Sequence, residues 1–230
     1  METTTLVGKK LNIPVRILLG IAVALFIVTF AIAVPIFCRF FYFFNVKLLD
    51  IEEKSGYTKA QIFDAYNEVM DFLVWGEEFG TGELPYSEEG KSHFEDCRKL
   101  FVLDFVVLGV SALVIVVVYV LNKFGWLDLS FKKHSPEFWA LVGLGCFFVA
   151  IGAWAVIDFS GLFEVFHLIA FPGKDNWVFY PNRDAIITIL PEELWFNFLL
   201  LIVGVFVAFV VAIALTEKIR KRKYQTSSGR

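Results

Sequence analysis

The sequence predicts an all-α membrane protein: four transmembrane helices with an extracytoplasmic helical cap built from the connections between spans 1 and 2 and between spans 3 and 4. Three observations predict it. First, 57% of the 230 residues are hydrophobic and the mean hydropathy is +0.66, while only 20% are charged; soluble domains carry about a quarter charged residues. Second, four stretches, about 17–37, 100–121, 138–157 and 194–215, are apolar over the ~20 residues a spanning helix needs. Third, lysine and arginine gather on one side of these stretches. Lys9, Lys10 and Arg16 precede the first, Lys123, Lys132 and Lys133 lie between the second and third, and Lys218, Arg220, Lys221, Arg222 and Lys223 follow the fourth. Basic flanks mark the cytoplasmic side, so both termini are expected inside and the segments 45–99 and 158–193 outside. The whole chain, 1–230, reads as one multi-pass integral membrane domain.

The first span has a basic start, and Ala31-Ile32-Ala33 resembles a small-residue cleavage site. The apolar run continues through Pro35 to Phe37, however, so the span is expected to be retained. The segment from Asn45 to Cys97 holds thirteen acids against four lysines. Thr58 with Gln61 forms a capping-box pattern, and Ile62, Tyr66, Val69 and Leu73 recur at helical spacing, which predicts a helix over 58–74. Gly76, Gly80, Gly82 and Pro85 interrupt it. Ser87 followed by Glu88 and Glu89 predicts a new helix start that runs unbroken into the second span.

That continuity places His93, Asp96 and Leu100 on one helix face. Asp96 is expected to accept a hydrogen bond from the His93 ring and fix its tautomer. In the second outer segment, Ser160 is expected to cap a short helix that buries Leu162, Phe163 and Phe166 and carries His167. Phe171-Pro172-Gly173 ends it, and Trp177, Phe179 and Tyr180 are rings of the kind found at headgroup level. A titratable group in so apolar a setting, on the same side as His93, is a functional candidate. The third histidine, His134, lies on the inner side beside Lys132 and Lys133 and is assigned no role. Arg39, Arg98 and Asp104 near span ends are candidates for ion pairs, and Gly109, Gly143, Gly145 and Gly152 for close helix packing.

The charge balance of −3 points to no nucleic-acid partner. Cys38, Cys97 and Cys146 form neither a disulfide framework nor a metal spacing, and no HExxH, GxSxG or nucleotide-binding motif is present.

Two stretches, SEEGKSHFEDCRKLF and FSGLFEVFHLIAFPGKDNWVFYPNRDAIITILPEELWF, resemble the lipoprotein intramolecular transacylases, a family of four-span bacterial membrane proteins. The first looks like the family's His-x-x-Asp at the head of span 2. The second is similar to its aromatic-flanked histidine followed by tryptophan, proline, aspartate and a second proline. Cys97 departs from the pattern, where an aliphatic residue is expected. The resemblance implies an acyltransferase of the bacterial cytoplasmic membrane with its site facing outward. It would move the sn-2 acyl chain of a diacylglyceryl-modified lipoprotein to the α-amino group of the N-terminal cysteine, with membrane lipid as the surroundings. His93 and His167 would be the acid/base pair, Asp96 and Asp184 supporting groups, and Phe163, Phe166 and Trp177 walls of the acyl-chain pocket. No metal, nucleotide or other cofactor is implied. The residues alone leave two other readings: a non-enzymatic membrane component presenting its acidic outer domain to a partner, and a metal-dependent membrane hydrolase.

Overall fold

The computed structural model describes residues 2–127, 129 and 135–228, with side chains described for 13–127, 129 and 135–219. His134 and the charged Asp128, Lys132 and Lys133 lie outside the described residues. So do the side chains of Lys9, Lys10, Arg220, Lys221, Arg222 and Lys223. The described residues are all-helical: α1 (Glu2–Phe37), α2 (Arg39–Leu48), α3 (Ile51–Ser55), α4 (Lys59–Trp75), α5 (Glu88–Lys123), α6 (Pro136–Ile157), α7 (Phe159–Ala170), α8 (Ile186–Ile189) and α9 (Glu192–Ser228). Four of them, α1, α5, α6 and α9, are long and apolar enough to cross a membrane. Their outward surfaces are apolar: Val149, Val156 and Ile157 are 73%, 77% and 84% exposed, a pattern that water would penalise and lipid would not.

The chain divides into two compact units. In the first (1–31, 106–150 and 203–230), the Phe209 ring meets Phe26 and Phe30 edge-on, and Phe148 packs against Phe206. Ser135 donates its hydroxyl to the Glu217 carboxylate at 3.1 Å. The four glycines expected to pack helices closely do not do so. A Cβ at Gly109, Gly143, Gly145 or Gly152 would meet nothing within 4 Å, so no described neighbour requires the missing side chain.

The second unit (32–105 and 151–202) holds the densest core. Tyr42 of α2 stacks on Tyr66 of α4 with ring centroids 3.6 Å apart, and its hydroxyl donates to the Ile189 carbonyl at 3.0 Å. Ile51, Ile62, Ile186, Ile189 and Leu194 fill the space around them and are essentially unexposed. The buried Asn45 carboxamide accepts from Asn197 of α9 at 2.6 Å. The Thr58–Gln61 capping box starts α4 as the sequence predicts. Arg39 pairs with Asp71 and also donates to Asn67, while Arg98 donates to the Phe72 carbonyl and lies over its ring. Asp104 departs from the ion-pair expectation: its Oδ2 is buried with no hydrogen-bond partner among the described residues.

Candidate active site

A 36-residue α-helix is about 54 Å long, well beyond the ~30 Å of a hydrocarbon core. The surplus in α5 is its first twelve residues, 88–99, which carry nine of its titratable side chains before the apolar run begins at Leu100. Ser87 caps this helix, accepting from the Gly90 amide at 3.0 Å. Asp184, arriving from the turn before α8, in turn accepts from the Ser87 amide and hydroxyl at 2.8 and 2.7 Å. Gly90 permits that approach, because a Cβ there would stand 2.2 Å from Asp184 Oδ1. Asp184 therefore fixes the head of α5 rather than touching either histidine.

His93 sits one and a half turns into α5 and is buried. His167 arrives from α7, and the two ring centroids lie 5.8 Å apart with their planes 32° from parallel. Helix α7 is inverted relative to a soluble amphipathic helix. Its one buried residue is His167, while Phe166, Leu168 and Ile169 are 54%, 53% and 76% exposed. The expectation that Phe166 is buried is thus corrected: where the surroundings are apolar, the polar side chain is the one that gains from facing protein. The cap is corrected too. Asp158, not Ser160, accepts from the Gly161 amide at 2.9 Å, and Ser160 instead donates to Glu192. A carboxylate beside the positive helix start wins over a hydroxyl one residue inside the helix.

The three aromatic residues singled out from the sequence all surround His167. Phe163 lies at 4.2 Å, Trp177 at 4.8 Å and Phe166 at 5.3 Å between ring centroids. Two more rings, not anticipated, complete the enclosure: Phe171 stands 4.9 Å from His93 and 5.8 Å from His167, and Phe179 stands 5.4 Å from His93. Phe171-Pro172-Gly173-Lys174 turns back sharply, with the Lys174 amide donating to the Phe171 carbonyl at 3.1 Å and Gly173 at φ +74°. Proline then glycine at the two central positions fits a type II turn.

Asp96 does not bond to His93. Its carboxylate accepts from Lys174, from Lys99 at 2.9 Å and from Asn176 Nδ2 at 3.2 Å. Burial raises the Asp96 pKa, but the hydrogen bonds from these three donors together outweigh it and hold the carboxyl below its ordinary range. Asp96 thereby ties the 174–176 turn to α5. The partner of the His93 ring is instead Cys97, whose Sγ lies 3.3 Å from Nε2, and Nδ1 has no hydrogen-bond partner among the described residues. Burial pushes the Cys97 thiol up to about 12, so it stays protonated.

Both imidazoles are held neutral. Burial, then the proximity of His167 and Lys174 against the opposing pull of Asp96, lowers His93 to about 4. Burial also lowers His167, against the opposing effect of the Phe163 carbonyl. That carbonyl lies 2.7 Å from His167 Nδ1. A carbonyl only accepts, so Nδ1 carries the proton and the neutral ring keeps its lone pair on Nε2. Among the described residues no group of three His, Cys, Asp or Glu side chains is placed to hold a metal ion.

The fold and this buried histidine pair define a multi-pass, all-helical membrane protein with a polar centre enclosed by aromatic rings. The model of the lipoprotein intramolecular transacylase Lit family matches residues 17–196, and the chain belongs to that family of acyltransferases. The structure of membrane integral lipoprotein intramolecular transacylase Lit from Bacillus cereus is similar over 94% of this chain and 99% of its own, with a TM-score of 0.79 at 23% identity. Two structures of the same Bacillus cereus protein, each with one histidine replaced, give TM-scores of 0.77 and 0.78 at 20% and 21% identity. They cover 98% and 96% of this chain and 99% of their own. A comparison with curated proteins gave no match.

Proposed function

We propose that the chain transfers the sn-2 acyl chain of a diacylglyceryl-modified lipoprotein to the α-amino group of its N-terminal cysteine, at the extracytoplasmic face of the membrane. The supporting observation is that imidazoles 74 positions apart in sequence lie with ring centroids 5.8 Å from each other.

The substrate amine, with a pKa near ~8, attacks as the neutral form. As its nitrogen bonds to the ester carbon, its proton becomes acidic enough for a neutral imidazole to remove. His167 is the base, since Nδ1–H is committed to Phe163 and Nε2 is left to accept. The His167 imidazolium then returns that proton to the departing glyceryl oxygen, so no net proton is gained or lost. His93 serves the carbonyl oxygen. With the Cys97 thiol donating to Nε2, Nδ1 carries the hydrogen that no described residue accepts, and this N–H stabilises the oxyanion. Both reacting groups belong to one molecule, so holding them in attack geometry supplies much of the acceleration, on the order of 7–11 kcal/mol in well-oriented systems. Phe163, Phe166 and Trp177 line the acyl chain's seat, and Phe171 and Phe179 must yield for the ester to reach the rings.

The test is conversion of a synthetic diacylglyceryl-cysteine lipopeptide by purified protein, read by mass spectrometry of the N-acyl lyso product. His93→Ala and His167→Ala are each expected to lower the rate by ~10²–10⁴-fold. Wild-type rates in either variant would overturn the assignment. Loss of activity on chelation, restored by zinc, would favour a metal-dependent hydrolase instead.

A further inference from the structure

We propose that a polar cavity beside the histidine pair seats the first residues of the substrate polypeptide that follow its N-terminal cysteine, and that it discriminates against acidic residues there. The inference rests on the transfer reading above and adds a subsite to it.

The cavity has a volume of about 240 Å³ and is lined by Glu89, Asp175, Asn176, Phe179, Tyr180 and Arg183, with Ser87 and Asp184 in its wall. It is smaller than the ~300–1,000 Å³ that hold a drug-sized ligand, so it fits a short stretch of chain rather than a lipid. Phe179 is its shared wall with the reacting centre: the same ring that lines the cavity stands edge-on to His93 at 5.4 Å. Asn176 is a second link, since its Nδ2 donates to Asp96 and Ser92 on α5. Two extended residues cover about 7 Å, so a cysteine held at the imidazoles delivers its next residues here. The acyl chains go to the apolar side of the site, and this cavity gives the polypeptide a polar exit.

The lining suits a peptide backbone, which offers donors and acceptors alternately. Asn176 Oδ1 is a buried acceptor with no partner among the described residues, and Tyr180, 56% exposed, presents a hydroxyl. The charge of the cavity sets its preference. Glu89 and Arg183 neutralise one another in an ion pair. The carboxylates of Asp175 and Asp184 remain, and among the described residues neither has a cationic partner. A substrate aspartate or glutamate would bring a further negative charge beside these two carboxylates, whereas a lysine or arginine would find a counter-ion.

The test uses three diacylglyceryl lipopeptides with Lys-Lys, Ser-Ser or Glu-Glu at the two positions after cysteine, converted at low salt by wild type, Asp175→Asn and Asp175→Lys. In wild type the KM for the Glu-Glu lipopeptide is expected at least tenfold above that for Lys-Lys. Asp175→Asn should narrow the ratio several-fold, and Asp175→Lys should abolish or invert it. Because the ratio is read within one enzyme, a general loss of activity cancels. Equal KM values in wild type, or a ratio unchanged in Asp175→Lys, would overturn the proposal. If wild type converts none of the three, the transfer reading itself fails. Binding of the same lipopeptides with acetylated amines, read by shift in unfolding temperature, then decides the cavity on the same charge series.

Discussion

His93 and His167 owe their neutrality chiefly to burial, and this has a defined sign. In the unfolded chain each ring titrates near 6.5, while the folded values are depressed. The unfolded state therefore binds protons first as pH falls, so the stability that rests on these rings is intact above about 6.5 and is lost below it, toward 4 for His93. The unfolding temperature of the solubilised protein should fall across that window, and less so in the double variant His93→Gln, His167→Gln. Activity has a different limit. With both rings lowered below 6.5, kcat/KM should follow deprotonation of the substrate amine near ~8 and show no second break above 6.5. A histidine-like break there would contradict the neutral-pair mechanism. At this scale the surroundings in the sequence singled out the two histidines that the fold brings together: a ring in an apolar segment, and a ring at the head of a span. It did not disclose Cys97 as the His93 partner or Asp96 as the anchor of Lys174. Asp96 has a neighbour at hand in its own helix, and only the fold brings a better donor from 78 positions away.

The elements show where local patterns decide and where they do not. The capping box of α4 and the Ser87 start of α5 are local, and both form as the spacing predicts. The start of α7 offered two acceptors two residues apart, and the carboxylate prevailed. Asp158→Ala should accordingly lower stability by about 0.5–2 kcal/mol, more than Ser160→Ala, as measured by thermal or denaturant unfolding in detergent. Phe166 misled because the rule that apolar side chains face inward assumes water outside. The head of α5 depends on a contact that no periodicity reveals: Gly90→Ala should displace Asp184 from Ser87, since its added methyl would stand within 2.2 Å of the carboxylate. The expected outcome is reduced lipopeptide turnover with a lowered unfolding temperature, while the same change at Gly109, which faces open space, leaves both unaltered.

For the whole molecule, the four apolar runs made the membrane fold legible from composition and length alone, and the structure keeps all four as helices. The two-unit division was not legible, because it cuts across the long helices rather than falling in a linker. The expected orientation has a direct check. In a cysteine-free background, a cysteine placed at Ser55 should react with a membrane-impermeant maleimide in intact cells, and one at Gly125 only after permeabilisation; the reverse pattern would invert the topology. Because α5 is unbroken helix between His93 and Leu100, the imidazole rides at a fixed height of about 10 Å above Leu100. Hydrophobic mismatch would thus be transmitted without slack: a thick bilayer draws the imidazole toward the acyl region and a thin one lifts it into the headgroups, so vesicles graded by lipid chain length should display an optimum in turnover.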